Sequence, residues 1–195
     1  MKLYFFKKNS SKILLSFLML LFSSVTWAGA FEAGMEAIER EDYDKGLRFL
    51  CFAIREGDKT ALYEHSRILY AEGLERDFIN ARKCYLQALK AGLVEVVIEL
   101  GFIDFVGFGG DEPDFLQSYI YYKIASIHKF NYKNLTARDV EKHLESLRPL
   151  LDKREIKYAN KVARICFPRL VAACSIPKGK QREQHINIAN NSPEG

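Results

Sequence analysis

The chain has 195 residues, 48% of them hydrophobic and 28% charged, which is enough apolar material for a sizeable core and too little bias for a disordered or collagen-like polymer. The formal charge is +4, but the surplus lies in the first thirty residues, at Lys2, Lys7, Lys8 and Lys12, with no acid among them. Removing those four from the 29 Lys and Arg leaves 25 against 25 Asp and Glu, a neutral remainder that sets aside nucleic-acid binders, whose affinity rests on a lasting basic surplus.

Lys2 to Lys12 form a positively charged n-region, and Ile13 to Val25 is an apolar run shorter than the roughly 20 residues that span a bilayer. Ala28-Gly29-Ala30 supplies small residues at −3 and −1, so residues 1–30 read as a signal peptide cleaved after Ala30 or after Ala28. An uncleaved anchor would be oriented by the same lysines, leaving the rest of the chain outside the cytoplasm. Either way the folded part is expected to be periplasmic or secreted. No cysteine stands near the cleavage site for a lipoprotein anchor, and no later segment is apolar enough to span a membrane, so no membrane association is expected after processing.

From Phe31 to Ala125 apolar residues recur at three- and four-residue spacing, and the short breaks carry Gly or Asp. That pattern predicts short helices joined by tight turns. A shift of about 35 residues brings Gly57 onto Gly92, Ala53 onto Ala88, Leu50 onto Tyr85 and Tyr63 onto Ile98, a period typical of helical repeats. Ala53 and Ala88 let helices approach closely, Tyr85 and Tyr121-Tyr122 fill the space between them, and Gly57 and Gly92 suit left-handed helix ends. Thr136 and Asp139 open a further amphipathic helix through Leu144 and Leu147, which Pro149 should end or kink. Beyond Ser175 the polar tail, 176–195, lacks apolar periodicity and is expected to be disordered.

The segment Asp77-Phe78-Ile79-Asn80-Ala81-Arg82-Lys83-Cys84-Tyr85-Leu86-Gln87-Ala88-Leu89, followed by Gly92, Leu100-Gly101 and Gly107-Phe108-Gly109, resembles the Sel-1-like repeat, a relative of the tetratricopeptide repeat. Asp114 to Ala125 is similar to the next copy, Phe31 to Asp58 to a degenerate first pair, and Leu151 to Ala159 to a closing helix. The turn Gly73 to Asp77 is shorter than the family's pattern, and Gly109 to Pro113 is longer. The resemblance implies an all-α fold: a right-handed α-solenoid of stacked antiparallel helix pairs over 31–175. Its repeats would run at about 31–57, 58–92 and 93–128, with capping helices over 135–175. It also implies an adaptor for protein complexes.

Chemistry-bearing motifs are sparse. His65, His128, His143 and His185 lack metal-ligand spacing and read as surface or helix-face residues, and Gly107-Phe108-Gly109-Gly110 reads as a turn. Glu64 and Glu99 fall at equivalent points of successive units, which a solvated repeat face explains as well as a functional one. No catalytic residue, metal site or cofactor is therefore expected.

Export makes disulfides possible, and four cysteines allow three pairings. Cys166 and Cys174 flank the break at Phe167-Pro168 and form a candidate pair. Cys51 and Cys84 sit two residues out of register on neighbouring second helices and read as small buried hydrophobes.

A concave helical groove suits a polypeptide segment better than a small reactive substrate. If first helices line it, Tyr63 and Arg67, with their counterparts Ile98 and Phe102, are the candidate partner-binding residues. The alternative is a cell-wall enzyme or a protein recognising β-lactam or peptidoglycan, as implied by cysteine-rich exported relatives. Those carry regular cysteine pairs in each repeat, and this chain does not.

Overall fold

Left-handed glycines and acidic caps set the helix boundaries. The computed structural model describes residues 29–72, 77–108, 112–128, 135–169, 177 and 180–191, with backbone alone at 166–169. Nine α-helices lie among these residues: α1 Gly29–Glu39, α2 Tyr43–Arg55, α3 Lys59–Ala71, α4 Phe78–Ala91, α5 Val97–Val106, α6 Phe115–His128, α7 Ala137–Leu147, α8 Lys153–Arg169 and α9 Lys180–Asn191. No strand is present among the described residues. The signal-peptide reading, but for Gly29 and Ala30 at the start of α1, falls outside the described residues, as do the turn residues 73–76 and 109–111.

The chain divides into two compact units, residues 1–53 and 54–195. In the first, α1 turns into α2 through Glu41 in the left-handed region (φ 61°). The Asp42 carboxylate accepts from Lys45 N at 3.3 Å to start α2. Two glycines let the helices touch. A Cβ on Gly46 would lie 2.3 Å from Ile38 Cδ1, and one on Gly34 would lie 3.0 Å from Leu50.

In the second unit Gly57 (φ 97°) terminates a helix, and Asp58 caps the next by accepting from Thr60 N at 2.8 Å and Ala61 N at 3.0 Å. Gly92 (φ 104°) and Gly107 (φ 77°) close α4 and α5 in the same way. The left-handed endings anticipated at Gly57 and Gly92 are thus present. Ala53 and Ala88 are buried, as are Tyr85, Tyr121 and Tyr122.

The helix α6 is buried on nearly every side, from Leu116 to Ala125, and packs against α5, α7 and α8. Its approach to α5 is close because Gly101 leaves room for the Tyr122 ring, 3.1 Å from where a Cβ would stand, and because Ser118 Oγ donates to the Gly101 carbonyl at 2.7 Å.

Thr136 opens α7 with a reciprocal capping box: its hydroxyl accepts from Asp139 N at 3.3 Å, and the Asp139 carboxylate accepts from Thr136 N at 2.9 Å. The Thr136 hydroxyl, which also donates to Asp139 Oδ2 at 2.7 Å, and then the Thr136 N–H hold the Asp139 carboxyl down at about 2. Thr136→Ala should lower the melting temperature at neutral pH by a few degrees, a loss of about 1 kcal/mol that thermal denaturation will read. Pro149 stands in the short 3₁₀ turn Arg148–Leu150 that ends this helix.

Two expectations are corrected. The tail read as disordered over 176–195 contains α9, because its anchors are long-range and leave no local periodicity. Arg182 binds Asp114, Ile186 is buried, Lys161 Nζ donates to the Ala189 carbonyl at 3.1 Å, and Asn190 Nδ2 donates to the Arg154 carbonyl at 3.1 Å. Cys51 and Cys84, read as plain buried hydrophobes, are both disulfide-bonded. Burial alone does not separate a thiol from a disulfide sulfur, and Cys84 is indeed buried. The candidate pair Cys166 and Cys174 lies outside the described side chains.

Candidate functional site

Tyr63, Arg67 and Tyr70 stand at i, i+4 and i+7 on α3, one stripe of a helix whose opposite face, Ala61, Leu62, His65, Ser66, Ile68 and Leu69, is buried. Tyr63 is 40% exposed and Tyr70 38%, and Arg67 is exposed and paired with Glu64 at 2.7 Å. Tyr70 ties this stripe to the next two helices. Its ring stacks on Phe78 of α4 (centroids 5.6 Å) and meets Phe102 of α5 edge-on at 5.0 Å. Phe78 in turn stacks on Phe108 at 4.0 Å, completing a cluster of four rings.

Beneath the rings lies a carboxylate. Tyr70 OH donates to Glu99 Oε2 at 2.5 Å, and Glu99 is only 4% exposed. Tyr70 is partly exposed as a residue, while its hydroxyl is held on the buried Glu99 carboxylate. Desolvation, followed by the nearby Glu99 charge, raises the phenol far above its ordinary value. Tyr122 is raised by the same two causes. Arg82 Nε donates to Asp104 Oδ1 at 3.0 Å, so this second buried carboxylate has a charged partner where Glu99 has a neutral phenol.

Of the sequence-predicted residues, Tyr63 and Arg67 share the exposed face of α3, and Phe102 joins that face through the ring of Tyr70. Ile98 does not join it. It is buried to 5% exposure on α5, a helix apolar on almost all sides, and cannot meet a partner without unpacking. Tyr70 is the residue that sequence reasoning missed, although its spacing from Tyr63 and Arg67 carried the signal.

Two titratable groups, His65 read as a surface or helix-face residue and Glu99 left open between a solvated and a functional face, are interior. His65 is 3% exposed, its Nδ1 is 2.9 Å from Tyr85 OH, and burial pushes its imidazole down to about 3. Glu99, likewise, is not on a solvated repeat face. His143 is half-buried and stacks on Tyr122 at 4.6 Å. Among the described residues no group of three His, Cys, Asp or Glu side chains is placed to hold a metal ion, and no helix is long and apolar enough to cross a membrane. The site so built is a rigid, partly open aromatic surface edged by a guanidinium, over carboxylates that are already partnered. No known protein family, curated protein or solved structure matches this chain.

Proposed function

We propose that the chain is an exported, non-enzymatic adaptor of the Sel-1-like kind, with helix pairs stacked as a right-handed α-solenoid and a partner polypeptide bound on the face that carries α3. The observation that carries this reading is the Tyr63, Arg67 and Tyr70 stripe, braced from behind by Phe78, Phe102 and Phe108. Tyr and Arg dominate the energetics of protein interfaces because each offers large contact area with a directed polar group. A ring held by neighbouring rings loses little freedom on binding, so its contact is not offset by ordering. Sealed His65 and Glu99 support the non-catalytic reading, since a general acid or base must reach a substrate proton. The partner is a protein or peptide and not a nucleic acid, and the place of action is the periplasm or the exterior after residues 1–30 are removed.

Site-specific photocrosslinking in cells tests the reading. A photoreactive residue at position 63 or 67 should capture one discrete polypeptide, and the same residue at exposed position 145 on α7 should not. For that polypeptide, Tyr63→Ala and Arg67→Ala should each weaken binding about tenfold, roughly 1.4 kcal/mol. Unchanged affinity in both variants would exclude this face as the binding surface.

A further inference from the structure

Few of the contacts that hold α9 are apolar. Its inner stripe, Arg182, Ile186, Ala189 and Asn190, follows i, i+4, i+7 and i+8 spacing, and Ile186 is the one fully buried member. The other anchors are polar and lie at the two ends. In the first turn Arg182 Nη1 donates to an Asp114 carboxylate oxygen at 2.9 Å. In the last turn Lys161 Nζ and Lys157 Nζ, both on α8, donate to the carbonyls of Ala189 and Asn190 at 3.1 and 3.5 Å. The surface under α9 is thus built to receive a helix. It offers a carboxylate for a cation near the start, a seat for an aliphatic side chain four residues on, and ammonium groups for the carbonyls that a helix leaves unpaired at its end.

The sequence of α9 makes it helical only on this surface. Its 12 residues are marginal for an isolated helix, three are asparagines (Asn187, Asn190 and Asn191), and Ile186 and Ile188 are β-branched. Arg182 in the first turn also opposes the helix dipole until Asp114 meets it. The fit is incomplete as well. Asn190 Nδ2 reaches the Arg154 carbonyl at 3.1 Å, but its Oδ1 is buried with no hydrogen-bond partner among the described residues, and Ile188 stands 67% exposed. A segment with an apolar residue at the place of Asn190 would escape that cost.

We propose that Asp114 and the adjoining face of α8 form a second polypeptide-binding site, filled at rest by α9 as an internal competitor. Its partner is a segment that becomes helical on docking and carries a cation followed four residues later by an aliphatic side chain. The site shares no residue with the α3 stripe and stands independently of it. A helix that only sealed the fold would gain by burying an apolar stripe, whereas α9 is held by polar ends that another segment of the same pattern can replace. Residues 170–179 tether α9 to α8, at an effective concentration on the order of millimolar, so the partner must bind the open site more tightly than α9 does.

Fluorescence anisotropy of a labelled synthetic peptide spanning 177–195, titrated with the full chain, tests this. Arg182→Ala with Ile186→Ser should free the site while leaving Asp114 and α8 intact, and amide exchange over 180–191 will read the release. This variant should bind the peptide at least about tenfold more tightly than the wild-type chain, whose site is filled. Arg182→Ala alone, a milder change, should give the same order with a smaller ratio. A peptide that itself carries Arg182→Ala should bind the freed site at least about tenfold more weakly than the unaltered peptide. A displayed library of segments of the length of α9, panned on the freed variant, should enrich a cation with an aliphatic residue four places on, and those segments should displace the labelled peptide. Protection over 180–191 that survives both changes, no peptide binding by the freed variant, equal binding by that variant and the wild type, or library segments of another pattern that leave the peptide bound would each overturn the proposal.

Discussion

Replacing Arg182 by alanine is expected to release α9 while the helices it rests on stay folded. The guanidinium donates through Nη1 and Nη2 to the two carboxylate oxygens of Asp114, at 2.9 and 2.5 Å, with side chains only 19% and 12% exposed. A two-point, partly desolvated pair of this kind is about twice as strong as a neutral hydrogen bond, and Arg182 Nε also holds the Pro177 carbonyl at 2.8 Å. Ile186 is the one residue of α9 that is buried, so apolar contact compensates for little once the guanidinium is gone. The loss is about 2 kcal/mol, and amide exchange over 180–191 should accelerate roughly thirtyfold, with α6 and α8 unchanged. Asp114→Ala goes further, because Asp114 also caps α6 by accepting from Gln117 N at 3.0 Å. Since α6 is buried on nearly every side, this variant should lose about 1 kcal/mol more, and the loss should appear in the global melt. Exchange over 180–191 that is the same in Arg182→Ala and wild type would show that something other than this pair holds the helix.

This pair also marks where local reading of the sequence stops. The helix ends at Gly57, Gly92 and Thr136 were legible because caps and left-handed glycines act within a few residues of themselves. The join between Arg182 and Asp114 spans 68 residues and has no periodic trace, so α9 read as tail. The face of α5 was illegible for a different reason. Where Val97, Ile98, Leu100 and Ile103 are all buried, a hydrophobic stripe does not single out a side, and Ile98 could not be told from a surface position by register alone. Along α3 the reverse holds: buried Ala61, Leu62, His65, Ser66 and Leu69 are spaced to place His65 inside and Tyr63, Arg67 and Tyr70 outside. The aromatic site was therefore half visible. Its second half, the stacking of Phe78 and Phe108 behind Tyr70, depends on how three helices meet.

Acidification should expose His65 as the largest single titration in the fold. Its ring lies edge-on to Tyr85, with centroids 5.4 Å apart and the hydroxyl on Nδ1, and burial lowers its pKa from 6.5 to about 3. The unfolded chain takes up a proton at His65 below pH 6.5, whereas the folded chain does not until near pH 3. Stability from this residue is therefore complete above pH 6.5 and falls as pH drops, by about 1.4 kcal/mol per unit, or about 3 kcal/mol by pH 4. His128 and His143, also lowered chiefly by burial, add to the same slope. The exposed Asp139, held down by Thr136, titrates below this window, so melts between pH 7 and 4 isolate the histidines. Two variants separate burial from the hydrogen bond. His65→Gln keeps a polar atom near Tyr85 but cannot titrate, and the dependence of its melting temperature on pH should flatten by His65's share. Tyr85→Phe leaves the imidazole desolvated, so its curve should lie lower at every pH and keep the wild-type slope. If His65→Gln retains that slope, the acid sensitivity belongs to other groups, and the imidazole between α3 and α4 is already open to water.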